Sequence, residues 1–225
     1  MTLATRVLTP ERMDTDCRDY ADYRACLRDL ARVNTVTLTH RPILAWLRRA
    51  STDLASFSLL DVGCGGGDAL RRIHRQAIAW GRQPDLTGLD LHPWSIRAAQ
   101  EATSGAQPIR YVNADVFTFA PDKPFDFIVS SQFTHHLTDD EIVRFIRWMD
   151  ANARRGWFTA DLRRHPFPFT ASPCWPVSQT GIASCVTTGR FPSGVASFQP
   201  TGTACWGAPR CRQPRSSSRR MSRSA

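Results

Sequence analysis

Past Asp161 this 225-residue chain holds no acidic residue, and nowhere does it approach the ~18 continuous apolar residues of a membrane-spanning helix. Its first ten residues lack both a long apolar core and a small-residue cleavage site, so the expectation is a cytoplasmic protein with no membrane span. Cys-x-x-Cys pairs are missing too. The seven cysteines are odd in number, Cys17, Cys26 and Cys64 lie in helix-like or glycine-rich contexts, and Cys174, Cys185, Cys205 and Cys211 are spaced 11, 20 and 6 apart. Reduced thiols are expected at the first three, and no metal site.

The missing acids explain the charge. The formal net charge is +9, yet residues 1–161 hold all 20 acidic and 20 of the 29 basic residues and sum to zero. The whole surplus lies between Arg163 and Arg223. A nucleic-acid footprint needs basic residues gathered on a folded face, so no nucleic-acid partner is expected, and a binding module built on those arginines ranks last among the alternatives.

Three zones follow along the chain. In residues 1–50, Tyr20, Tyr23, Cys26, Leu27, Leu30 and Val33 recur at helical spacing, and Pro42 opens a second run with Leu44, Trp46 and Leu47, which predicts a helical cap. Residues 51–168 alternate strand patterns at 57–62, 86–91, 109–113, 125–130 and 157–162 with helical patterns at 68–80, 93–103 and 138–153. The last of these helices opens on the capping box Thr138–Glu141. This rhythm predicts an α/β, Rossmann-like, doubly wound and mostly parallel sheet. Residues 169–225 are rich in Ser, Pro, Arg, Gly and Cys without sustained period, and are expected to be a disordered basic tail.

The chemistry concentrates after the first strand, in Asp61-Val62-Gly63-Cys64-Gly65-Gly66-Gly67-Asp68. A strand that ends in glycines and opens a helix turns sharply and lets a ligand reach the backbone; alone, it is also what any tight strand-to-helix turn looks like. Two further acids add weight. Asp90 ends the next strand, where a carboxylate meets the hydroxyls of a ribose, and Asp115 follows the third. Each alone also suits a loop acid or a helix cap.

Over about residues 30–165 the chain resembles the class I S-adenosylmethionine-dependent methyltransferases. The family's first motif, an acid, one spacer and Gly-x-Gly-x-Gly, is met by Asp61, Gly63, Gly65 and Gly67, with Cys64 inside it. The resemblance implies S-adenosyl-L-methionine as cofactor. It implies that this loop holds the methionine part, that Asp90, with Leu91 beside it, takes the ribose hydroxyls, and that Asp115 and the backbone at Val116 bind the adenine. A nicotinamide-dependent oxidoreductase is the rival. It wants Gly-x-Gly-x-x-Gly, whose third glycine is Asp68 here, and Asp61 would set negative charge beside a pyrophosphate.

By the same resemblance the segment Ser130-Ser-Gln-Phe-Thr-His-His-Leu137 lines the floor between cofactor and acceptor, with Ser130, Ser131 and Gln132 toward the methionine moiety. His135 or His136 then stands near the acceptor as a candidate catalytic base; equally, both histidines suit backbone hydrogen bonding ahead of the next helix. Residues 28–34, 41–42, 130–137, 141–149, 154–158 and 164–166 are similar to bacterial methyltransferases associated with type III polyketide and pigment pathways. That finer resemblance implies a small phenolic, quinone or polyketide-type acceptor and offers Asn34 and Arg41 as residues closing over the cofactor. The family continues with a sixth strand and an antiparallel seventh, which residues 169–225 do not offer as written. A reading frame displaced near Phe169 would restore acids and helical spacing. The expectation is therefore a sheet truncated after strand five, whose exposed last edge leaves either a methyl-transferring enzyme or an impaired cofactor-binding relic.

Overall fold

The computed structural model describes residues 17–162 and 184–189. Their elements run α1 (Tyr20–Val36), α2 (Arg41–Ala50), β1 (Ser56–Val62), α3 (Asp68–Ala79), β2 (Gln83–Asp90), α4 (Pro93–Ala102), β3 (Ile109–Asn113), β4 (Phe125–Ser131), a 3-10 turn (Thr134–His136), α5 (Asp139–Asn152), β5 (Ala153–Leu162) and β6 (Ser184–Gly189). Among the described residues no helix is long and apolar enough to cross a membrane.

Local chemistry sets the helix ends. The Asp19 carboxylate accepts the Asp22 N–H at 2.9 Å to start α1, and Pro42 sits in the first turn of α2, where a missing N–H costs nothing. The expected capping box forms at α5: Glu141 N–H donates to the Thr138 hydroxyl at 3.3 Å, and Thr138 N–H donates to the Glu141 carboxylate at 2.8 Å.

The sheet order is β3-β2-β1-β4-β5-β6, and β1 to β5 are parallel, as expected. Alternation along the strands divides the core. Leu59, Phe127, Val129 and Phe158 join Ile43 and Trp46 of α2 and Leu70 and Ile73 of α3 on one face. Leu60, Val62, Ile128 and Trp157 meet Phe145 and Met149 of α5 on the other. The order reverses between β1 and β4, and a crevice outside the carboxyl ends of the strands at such a point is where doubly wound sheets bind ligands.

The sheet does not stop at its fifth strand. Ser184–Gly189, expected to be disordered, forms β6 and pairs antiparallel with β5 from Trp157↔Gly189 to Leu162↔Ser184. The edge of β5 presents unpaired N–H and C=O groups, and the β-branched run Val186-Thr187-Thr188 is well suited to take them up. β5 is thus an interior strand. The rest of the region expected to be a disordered, frame-displaced tail lies outside the described residues.

Candidate active site

The glycine loop is set by backbone conformation. Gly63, Gly65 and Gly67 have φ of +71°, +50° and +72°, the left-handed region that side chains resist. A Cβ on Gly63 would lie 2.8 Å from Phe133, and one on Gly67 would meet the Tyr111 hydroxyl. The loop is pinned to the end of β2: Gly63 N–H and Cys64 N–H both donate to the Leu89 carbonyl, at 2.9 and 3.1 Å, and Gly65 N–H donates to the Asp90 carboxylate at 2.8 Å. Leu27 of α1 lies over Gly65 and Gly66. Helix α1 is held there by the Tyr23 hydroxyl, 2.8 Å from that of Ser95, and by Tyr23 stacking on His92 at 4.4 Å.

Three carboxylates surround this loop in different electrostatic states. Asp61, only 2% exposed at the end of β1, is pushed well above the ordinary carboxylate range by burial and then by the charges of Asp68 and Asp90; among the described residues no cation opposes the shift. Asp90 is also raised by burial, although the backbone N–H groups of His92 and Gly65 and the side chain of Ser95 pull the other way. At Asp68, burial acts upward but is outweighed by His40, Asn34 and Arg71, which leave the carboxyl below its usual value. His40 Nε2 lies 2.8 Å, and Asn34 Nδ2 3.3 Å, from the same Asp68 oxygen. Cys64 is a buried free thiol whose ionisation is opposed by burial and by Asp61 and Asp90, so it contributes shape rather than reactivity.

The remaining expected residues stand at or just past the carboxyl ends of β2, β3 and β4. Leu91 is 71% exposed just past β2. One Asp115 carboxylate oxygen accepts the Phe117 N–H at 2.9 Å, while Val116 is buried beneath. Ser130 is fully buried and its hydroxyl donates to the Val62 carbonyl at 2.9 Å, so it braces the start of the glycine loop. The Ser131 hydroxyl is buried without a hydrogen-bond partner among the described residues. Gln132 adopts φ +54°, and its N–H donates to the Ala160 carbonyl at 2.9 Å. That left-handed step turns the chain off β4, putting Phe133 against Gly63 and carrying Thr134–His136 toward the end of β5.

There the structure joins residues that sequence spacing did not connect. His135 Nδ1 lies 2.7 Å from Asp161 Oδ1, the His135 N–H donates to Asp161 Oδ2 at 2.9 Å, and the Thr134 hydroxyl donates to the same Oδ2. The His136 ring, more exposed, lies 4.2 Å from that of His135. Asn34 is buried and bonds Asp68 at the start of α3; Arg41 is exposed, and its neighbour His40 reaches the same carboxylate. Neither His40 nor Asp161 carries a local signal beyond being polar at the end of an element.

A methyltransferase-domain family model matches residues 59–156, the stretch that builds this crevice. The core is similar to a methyltransferase domain. Among curated proteins, an uncharacterised methyltransferase of Mycobacterium tuberculosis strain H37Rv is 36% identical over 91 residues, 40% of this chain and 43% of the relative. A ubiquinone biosynthesis O-methyltransferase of Methylobacterium sp. strain 4-46 is 30% identical over 115 residues, 49% of this chain and 43% of the relative. The methyltransferase match thus spans less than half the length of these relatives. The fold is similar to that of the plantazolicin methyltransferase BpumL, crystallised with S-adenosylhomocysteine and a desmethyl analogue, at a TM-score of 0.55, with 18% identity covering 70% of this chain and 58% of that one. It is also similar to magnesium protoporphyrin IX methyltransferase of Synechocystis PCC 6803 at a TM-score of 0.50, with 17% identity covering 68% of this chain and 65% of that one.

Proposed function

We propose that the crevice binds S-adenosyl-L-methionine and that the protein transfers its methyl group to a hydroxyl of a small phenolic, quinone-type or polyketide-type acceptor. The observation that carries this reading is Asp61: a carboxylate raised by burial and then by two neighbouring acids, with no opposing cation among the described residues, at the base of a glycine loop. Such a site favours a ligand that brings positive charge, which the sulfonium and ammonium of this cofactor supply and a dinucleotide pyrophosphate does not. Asp90, already oriented by two backbone N–H groups, retains lone pairs for ribose hydroxyls, and the exposed Leu91 offers an apolar surface to the adenine alongside Asp115.

When bound, the cofactor supplies an electrophilic methyl group. The protein's part is to hold the acceptor oxygen in line with it, to shield the site from water and to receive the hydroxyl proton, a role this reading gives to His135. The similarity to ubiquinone biosynthesis O-methyltransferases supports oxygen as the acceptor atom.

Two measurements on the full chain test this. Calorimetry is expected to show S-adenosylhomocysteine binding and no binding of NADH. Transfer of labelled methyl from S-adenosylmethionine to a panel of phenols and hydroquinones is expected to yield a methyl ether. Binding of NADH alone would overturn the cofactor assignment; cofactor binding with no transfer across the panel would leave a cofactor-binding relic.

A further inference from the structure

We propose that Cys17 and Cys26 form a redox-modification site, a thiol pair that a peroxide converts to a disulfide stapling the start of α1. The two sulfurs lie 3.8 Å apart across nine residues, and both cysteines are free. Local structure brings them together. Asp19 caps α1, and Cys17, two residues before it, folds back to pack with Tyr20 and Trp94 on the cluster of Tyr23, Leu27 and Ala98. That places Cys17 beside Cys26, in the second turn of the helix. A disulfide holds its sulfurs about 2.05 Å apart, so they need to approach by about 1.8 Å, a side-chain displacement rather than a rearrangement of the helix. Access separates this pair from Cys64. Cys26 is exposed and Cys17 partly so, whereas Cys64 is buried. An accessible thiol with a second thiol in reach is the arrangement that carries oxidation on to a disulfide.

The chemistry balances with one peroxide. Cys26, as its thiolate, attacks a peroxide oxygen; the O–O bond breaks, the departing hydroxide takes up the thiol proton as water, and a sulfenic acid remains. The Cys17 sulfur then attacks the Cys26 sulfur, the S–O bond breaks, and the second hydroxide leaves as water with the Cys17 proton. Each sulfur gives up one electron and each peroxide oxygen gains one. The link bears on the glycine loop, because Leu27, next to Cys26, lies over Gly65 and Gly66. It needs no cofactor and stands apart from the proposed methyl transfer.

Trypsin tests the pairing, since Arg12, Arg18, Arg24 and Arg28 place Cys17 in peptide 13–18 and Cys26 in peptide 25–28. After reduced full-length protein is treated with hydrogen peroxide and digested without reductant, mass spectrometry is expected to find 13–18 linked to 25–28 as the dominant disulfide. In Cys17→Ser the reaction should stop at a sulfenic acid on Cys26, trapped by dimedone. Hydrogen exchange in the first two turns of α1 is expected to slow about 10-fold on oxidation of the wild type, because closing the short loop restricts local opening, and not to change in Cys26→Ser. Dominant pairing of either cysteine with another, a wild type that stops at the sulfenic acid, or exchange unchanged by oxidation would each overturn the proposal. The peptide map is made on the wild type, so it decides even where a serine variant fails to fold.

Discussion

The two flanks of the crevice are built by different means. On the β1–β2 flank the proposed ligand surface is mainly backbone: three left-handed glycines, tied by N–H groups to Leu89 and Asp90. On the β4–β5 flank the surface is a side-chain network, in which a carboxylate at the end of one strand catches a histidine from the turn after another. A backbone site suits a ligand that never changes. A side-chain site can be altered for a new acceptor without disturbing the cofactor, and for that reason the two flanks should fail separately.

The sharpest break is expected at Gly67. Gly67→Ala should cost about 2–4 kcal/mol in urea unfolding, because the left-handed backbone is strained and the new Cβ meets the Tyr111 hydroxyl. Gly81→Ala is the control: its φ of +74° is equivalent, but nothing lies within 4 Å of the added carbon, so about 1 kcal/mol is expected.

Next comes the separation itself. Asp90→Ala should weaken S-adenosylhomocysteine binding about 10- to 100-fold by calorimetry, through loss of a charged acceptor that also orders the loop. His135→Gln should leave that affinity within twofold. If it weakened cofactor binding as much as Asp90→Ala does, the flanks would not be independent.

Asp61 gives a smaller effect with opposite signs for stability and binding. Its carboxyl is raised in the folded protein, so the folded state binds its proton more tightly; that stability is present below about pH 4 and is lost as pH rises through the folded-state value. Asp61→Asn should therefore raise the Tm of the ligand-free protein by about 2–4 °C at neutral pH, with no gain at acid pH, while weakening cofactor binding. A variant that is destabilised at every pH would refute an unpaired carboxylate held for a cation.

The smallest effect belongs to the opposite end of the sheet. Arg154 at the start of β5 pairs with Asp126 at 2.9 Å but is half exposed, so Arg154→Ala should cost about 0.5 kcal/mol and leave ligand binding unchanged.

The first flank was readable because its causes are local. Glycine at 63, 65 and 67 answers directly to positive φ, and an acid at the end of β2 needs only the strand to end there for its carboxylate to face the loop. The strands were equally plain: alternating apolar residues at 59–60 and 127–129 separate onto two helix-covered faces, whose clusters they join. The capping box at Thr138 is a spacing rule and formed as read. What escaped was pairing between distant polar residues. His40 and Asn34 meet Asp68 across 28 and 34 residues, and His135 meets Asp161 across 26, with no periodicity to announce them. β6 escaped for a related reason: its six residues lie in a stretch whose composition argues against structure, and they form a strand because β5 offers an edge to pair with.

The sequence by itself determined the alternating elements, the parallel sheet and the glycine-and-acid loop, since each depends on φ, on side-chain period or on the residue at one strand end. Only the tertiary structure decided that Asp61 would lie within reach of two other carboxylates with no opposing cation among the described residues, that β5 would pair with β6, and that Asp161 would hold His135. Those outcomes depend on which strand ends the sheet order brings side by side, and that order is fixed by packing of the whole core.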